Sequence, residues 1–437
     1  MKLLATVTSL LVWLGTSTAQ SPTPIQHVVI IFQEDRTPDN LFQGLPNADI
    51  AKTGINSHGQ KITLGPVALA NNYAIEHTHG QWEAMYDGGK MDGADKQTVI
   101  CNPNAKNCPP PNPQFKYVPR SQVAPYFRLA EQYTFADRMF QTHEGPSFSA
   151  HQFILSGTSA PTADSDLFAA GEPAGIKNAF LNTGCTAPKQ EYVLLIDPKG
   201  DENQKIYPCF EHPTLPDLLD KAGVSWRYYT PSATLLWTAP NAISHLRFGA
   251  DWKNVILQPA QILTDIAQNN LPGVSWVIPK WVESDHAGSN NGTGPAWVAS
   301  VVNAIGNSPY WANTAILIAW DDWGGWYDHV APPQVLKDCQ NWGCGFVYGF
   351  RVPLIVVSPY AKQKYVSHVT HDFGSILKFI EVVYNLPSLG YADAYADDLS
   401  DCFQFQAVPR KFRNIHTLRD ASYSRNHIEP PGDPDSD

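Results

Sequence analysis

The sequence predicts an α/β fold with a mostly parallel central sheet and helices on both faces. Short apolar runs rich in β-branched residues, such as Ala315 to Trp320, recur along the chain and read as strands buried on both faces. Stretches of helical apolar spacing, such as Trp297 to Ile305, lie between them. With 437 residues, 43% apolar and only 16% charged, the chain can bury the core of a large α/β domain.

The first strand is expected over Ile25 to Phe32, ending on Glu34-Asp35-Arg36. Residues 47–118 are loop-rich and contain Glu76-His77-Thr78-His79 and Gly88-Gly89-Lys90-Met91-Asp92-Gly93. Val123 to Tyr133 has helical spacing, and Thr134 to Gln141 is expected to hold a short strand. A helix follows Gly145-Pro146-Ser147, with Ser149 as its expected N-cap. Residues 160–213 lack periodicity and read as a surface insertion. Thr214 with Asp217 then starts a capped helix that Gly223 ends, and Val224 to Tyr229 follows as a strand. Gly273 to Pro279 reads as another strand, leading to Ser284-Asp285-His286. Val352 to Val357 is a further strand, with a capped helix from Asp372 behind it. Past about Pro409 periodicity is lost, and Pro430-Pro431-Gly432-Asp433-Pro434 reads as a frayed tail.

A formal charge of −11 argues against nucleic acid as a partner, but it leaves phosphorylated substrates open. The opening MKLLATVTSLLVWLGTSTAQ reads as a secretory signal peptide cleaved after Ala19, too short an apolar run to span a membrane comfortably. No other stretch is long and apolar enough to span one. Seven cysteines in an exported chain are expected to be mostly paired, as Cys101–Cys108, Cys185–Cys209 and Cys339–Cys344, leaving Cys402 single.

The chemistry centres on acids. Glu34-Asp35 and Asp321-Asp322 each follow a predicted strand, where open α/β sheets place their ligands. If the two strands are neighbours, four carboxylates converge and require a divalent cation. The alternative is that each pair only solvates a turn. Ser147 stands at a helix start, where the dipole favours an alkoxide or binds a phosphate oxygen; a plain capping role is the alternative. His77, His79, His286, His329 and His151 cluster around these motifs and could supply protons or charge. Trp82, Trp323 and Trp326 could receive a lipid or aromatic leaving group, or be core.

The blocks HVVIIFQEDRTPDNLF, EHTHGQWEAMYDGGKMDG, GPSFSAHQFILSG, SDHAG and SPYWANTAILIAWDDWGGWYDHVAPP, then YGFRVPLIVVSPYA, resemble the bacterial phosphoesterase family. That family includes phosphatidylcholine-hydrolysing phospholipases C and related acid phosphatases. The resemblance runs in order from Ile25 to Leu386. It implies an alkaline-phosphatase-like three-layer sandwich with loop insertions, occupying residues 20–408 between the signal peptide (1–19) and the tail (409–437). It also implies a secreted hydrolase of phosphate esters, a phospholipid being one candidate substrate. By motif, Glu34, Asp35, Asp321, Asp322 and Ser147 would hold one divalent metal ion, with Ser147 as nucleophile and His77 and His286 handling phosphate and protons. His151 and His329 are further substrate-binding candidates.

Two departures stand out. Asp35 replaces the family's usual Asn, and Ser149-Ala150-His151 stands where Pro-Asn-Arg is frequent. The missing Arg removes a fixed cation that His151 could replace only when protonated, which would favour acidic pH. The contrasting reading is an exported binding protein that keeps the fold without catalysis.

Overall fold

The computed structural model describes residues 23–337 and 341–417. The signal-peptide reading, Cys339 and the end of the tail lie outside the described residues. The central sheet has eight strands: β1 (His27–Gln33), β2 (Thr134–Ala136), β3 (Trp226–Tyr229), β4 (Val255–Ile256), β5 (Val274–Val277), β6 (Thr314–Trp320), β7 (Leu354–Val357) and β8 (Tyr365–Ser367). Their order across the sheet is β4-β3-β5-β1-β6-β7-β2-β8. Only β7 runs against the rest; every other pairing joins parallel strands.

The longest strands are the two central ones. All seven residues of β6 are buried, as are six of the seven in β1, which is why both read as unbroken apolar runs. Successive side chains leave opposite faces of a strand. Phe32 packs edge-on against Phe373 and His151 on one side. Trp320, one residue beyond the partner of Phe32, meets Tyr126 on the other. The helices divide accordingly. On the Tyr126 side lie α2 (Ala124–Gln132), α5 (Gln261–Ala267) and α6 (Gly294–Gly306). On the other lie α3 (Ser147–Ser156), α4 (Leu215–Lys221) and α7 (Phe373–Tyr384). Helix α1 (His79–Tyr86) belongs to the loop-rich stretch after β1. The expected three-layer arrangement is therefore present.

Local chemistry accounts for several helix ends. Thr214 and Asp217 form the expected capping box at α4, and Asp372 with Ser375 forms one at α7. At α3 the expectation fails. Ser147 is itself the first helical residue, and Ser149 caps nothing, because its hydroxyl donates to Ala169 O at 2.7 Å.

That contact reveals what sequence pattern concealed. The insertion over residues 160–213 holds a three-stranded antiparallel sheet, Phe168–Ala169, Val193–Ile196 and Glu202–Ile206, packed against α3. All ten residues of α3 are buried, so no polar face marks it as a helix. Cys185–Cys209 staples the insertion and Cys101–Cys108 a separate loop, as expected. Cys344 is also disulfide-bonded, and Cys402 is free and buried. The C-terminal extension starts docked on the domain: Trp311 Nε1 donates to Arg410 O at 2.6 Å, and Ile415 is buried. Among the described residues, no helix is long and apolar enough to cross a membrane.

Candidate active site

Strand register brings the acids together. In the β1–β6 pair Gln33 lies opposite Trp320, so Glu34-Asp35 and Asp321-Asp322 leave the same sheet edge side by side. Asp321 Oδ1 accepts from Asp35 N at 2.9 Å, tying the two chain ends to each other. On the other flank of β1, Ile31 lies opposite Val277 of β5, whose continuation carries His286 back to Asp35. His286 Nε2 is 2.9 Å from Asp35 Oδ2. Ser147, at the first turn of α3, donates to Glu34 Oε2 at 3.2 Å and to Asp322 Oδ2 at 3.4 Å. His77 Nε2 stands 3.8 Å from Asp322 Oδ2, and His151 Nε2 stands 3.1 Å from Glu34 Oε1. All eight side chains are buried.

A glycine makes this closeness possible. Gly324 follows the second acid pair with φ of +59°, and a Cβ there would overlap the backbone and Cβ of Asp35. Gly324→Ala is expected to destabilise the fold by about 1–3 kcal/mol and to push Asp35 out of place. Thermal unfolding of the purified variant checks the first effect, and its ester hydrolysis the second.

Crowding sets the electrostatics. Burial first, and then repulsion from Asp35, pushes Asp321 above the usual carboxylate range. Burial likewise drives Asp322 well above that range against the pull of His77, with Asp321 and Asp35 adding to the rise. Burial also opposes the Asp35 carboxylate, but His286 beside it, helped by His77 and Arg36, holds it below its ordinary value. His151 does not become the expected cation: burial pushes its pKa down to about 3, so the ring is neutral above that pH.

The residues fit a cation. Asp35 Oδ1 and Asp321 Oδ2 are buried oxygens without a hydrogen-bond partner among the described residues. The Tyr228 hydroxyl gives its proton to Trp237 O at 2.6 Å, so His151 Nδ1 supplies the hydrogen in its 3.3 Å contact with Tyr228. The Nε2 lone pair of His151 then faces Glu34 Oε1, two acceptors that need a proton or a cation between them. Three ligand groups of metal-binding compactness overlap here: Glu34, His151 and Asp321; Asp35, Asp321 and Asp322; and Asp35, His77 and His286.

His329 is elsewhere. Its ring nitrogens contact Asp39 at 2.8 Å and Asp49 at 3.0 Å, in a network around the buried Arg351, which grips Asp328 through Nε and a terminal nitrogen at 2.9 and 3.0 Å. Its neighbours are thus structural carboxylates, not the proposed nucleophile. Arg351→Met is expected to cost about 3–5 kcal/mol, because it strands the buried Asp39 and Asp328 charges. Denaturant unfolding measures the loss.

Arg36 and Asp285, quoted in motifs but given no role, turn out to brace the site. The Arg36 guanidinium donates twice to Asp285 O, at 2.6 and 2.9 Å, joining the loops after β1 and β5. Glu172 was missed altogether: it accepts from Phe148 N at 3.0 Å, and nothing in its irregular surroundings marks it. Trp323 and Trp326 are fully buried in the core. Trp82 lines a neighbouring cleft of about 660 Å³ with His79, Tyr86, Glu144 and Tyr348. None of the eight buried site residues lines that cleft, which adjoins them through Glu144 and His79 in the chain.

The model of the Phosphoesterase family matches residues 25–387, most of the chain. The chain belongs to that family. Among its relatives is Phospholipase C B of Mycobacterium tuberculosis (strain H37Rv), 25% identical over 447 residues, with 89% of this chain and 79% of the relative covered. Hemolytic phospholipase C of Pseudomonas aeruginosa is 24% identical over 449 residues, covering 88% of this phosphoesterase-family chain and 56% of the relative. A solved structure of a protein in the alkaline phosphatase superfamily from Vibrio parahaemolyticus aligns with a TM-score of 0.39 and 11% identity, over 87% of this chain and 72% of that one.

Proposed function

We propose that this chain is a secreted, metal-dependent hydrolase of phosphate esters that works through a phosphorylated Ser147. The observation that carries the reading is the Ser147 hydroxyl at the N-terminus of α3, hydrogen-bonded to carboxylates from two adjacent strand ends. Glu34, Asp35, Asp321, Asp322 and Ser147 would hold one divalent ion, which when bound lowers the serine's pKa and offsets charge on phosphoryl oxygens.

The chain's own groups supply the rest. Ser147 Oγ attacks phosphorus, and its proton has Glu34 Oε2 at 3.2 Å to leave to. The positive end of the α3 dipole, at Ser147, favours the phosphoryl charge. His77 and His286 present Nε2 to the same space, each oriented by a backbone carbonyl at Nδ1, Ile75 O at 2.9 Å and Ala287 O at 2.8 Å. Carbonyls only accept, so both Nδ1 atoms carry hydrogen; a second proton, held at Nε2, goes to the departing alcohol and is recovered from the water that then cleaves the phosphoserine and frees Ser147. The ester's alcohol has room in the cleft beside Glu144 and Trp82. Disulfides fit an oxidising compartment outside the cell.

The test is turnover of p-nitrophenyl phosphate and p-nitrophenyl phosphorylcholine after chelation and after adding back divalent ions. Hydrolysis lost on chelation and restored by an ion supports the proposal; the faster of the two esters tells phosphatase from phospholipase C. Hydrolysis of neither ester with any divalent ion would leave the non-catalytic binding protein as the better account.

A further inference from the structure

A second cluster of metal-ligating groups lies where β8 meets the C-terminal turn. His371, Asp401 and Cys402 place one ligand atom each within 4.8 Å of one another. His371 and Cys402 are buried, and Asp401 is about a fifth exposed. None of the three contributes to the site around Ser147.

Two of the three distances between these ligand atoms match the edges of a coordination sphere. His371 Nε2 is 3.4 Å from Asp401 Oδ1, and Cys402 Sγ is 3.5 Å from the same oxygen. Tetrahedral zinc with bonds of about 2.0–2.3 Å has ligand-to-ligand edges of roughly 3.3–3.6 Å. The histidine is also oriented as a ligand. Its Nδ1 lies 2.6 Å from Asp397 Oδ1, the outer carboxylate that so often fixes a metal-binding imidazole.

The proton count then leaves a gap at Nε2. With Nδ1–H given to Asp397, Nε2 of the neutral ring offers a lone pair. Three hydrogens nearby are directed at Asp401: Ser367 Oγ donates to Oδ2 at 2.5 Å, the Tyr365 hydroxyl donates to the same oxygen at 3.3 Å, and the Cys402 thiol donates to Oδ1. Nε2 therefore faces Ser367 Oγ at 3.1 Å and Asp401 Oδ1 without a donor between them. Either an extra proton or a cation fills that space. Cys402 is also the free cysteine among the described residues, in a chain whose other described cysteines are oxidised.

We infer that His371 Nε2, Asp401 Oδ1 and Cys402 Sγ form a structural site for a soft divalent cation of the zinc class, with water in the fourth position. Binding replaces the Sγ–H bond with a metal–sulfur bond and releases that proton to solvent. The ion ties the turn Ser400–Cys402 to the segment between β8 and α7, fastening the C-terminal stretch to the sheet edge.

Sulfur makes the site separable from the one around Ser147, whose candidate ligands are oxygen and nitrogen. The full chain is stripped with chelator and titrated with Co²⁺, reading near-ultraviolet thiolate-to-cobalt absorption and bound metal per chain. The expected result is a thiolate band in the wild type, absent in Cys402→Ser, which binds one ion fewer. Equal stoichiometry in both proteins, or no thiolate band in the wild type, overturns the inference in favour of a protonated His371. Should Cys402→Ser fail to fold, the wild type still decides. Zn²⁺ is expected to slow the reaction of Cys402 with a thiol reagent in mild denaturant at least tenfold, and an unchanged rate counts against the site.

Discussion

Ser147→Ala is expected to lower kcat for phosphate ester hydrolysis by about ten-thousand-fold or more. Its folding stability should remain close to that of the parent. The hydroxyl's contacts within the chain are to Glu34 and Asp322, two groups held in an already crowded cluster. Removing it leaves no large cavity, since only one oxygen is lost. A variant that folds normally, binds the metal and fails to turn over separates a nucleophile from a merely structural serine. Steady-state kinetics with thermal unfolding on the same preparation read both quantities. Retention of full activity would remove Ser147 from the mechanism.

The second large effect concerns stability without metal. Asp321 and Asp322 are both raised by burial and by neighbouring charge, so the metal-free fold favours their protonated forms. A carboxyl raised on folding contributes stability that is fully present below the unfolded value, about 3.9, and lost as pH rises through the folded value. Asp35, which is lowered, works in the opposite sense and offsets part of this. The net expectation is that the chelated protein loses stability from acid towards neutral pH. The metal-loaded protein should not, because the ion takes the place of the protons. At a thousandfold excess over Kd, bound metal adds about 4 kcal/mol. Thermal unfolding of chelated and loaded protein across this pH range measures the gap. A gap that stays constant or narrows with rising pH would contradict the assignment of these carboxylates as ligands.

Much of this was legible in the chain. The apolar runs of β1 and β6 mark the centre of the sheet because strands buried on both faces need no polar alternation. The acid pairs were legible for the same reason: charge directly after such a run has no structural cause within the strand. Register was not legible. That Gln33 pairs with Trp320 is a tertiary fact, and it alone turns two acidic turns into one site. Strand direction was equally hidden, since β7 is as apolar as its parallel neighbours. The insertion's sheet escaped because Glu202–Ile206 is largely exposed and carries no alternating pattern. His329 misled because a histidine four residues after a Gly-Gly turn looks the same in sequence whether it meets substrate or a buried Arg–Asp network.

The wall that the insertion builds against α3 ties the setting of Ser147 to redox conditions. Ala169 and Glu172 both reach the helix that carries Ser147, and Cys185–Cys209 staples the segment that supplies them. Such a bond forms in oxidising surroundings and is not kept in a reducing cytosol. Opening Cys185–Cys209 would unfasten the wall behind the Ser147 helix, so the rigidity of that helix is set by the redox state of the surroundings.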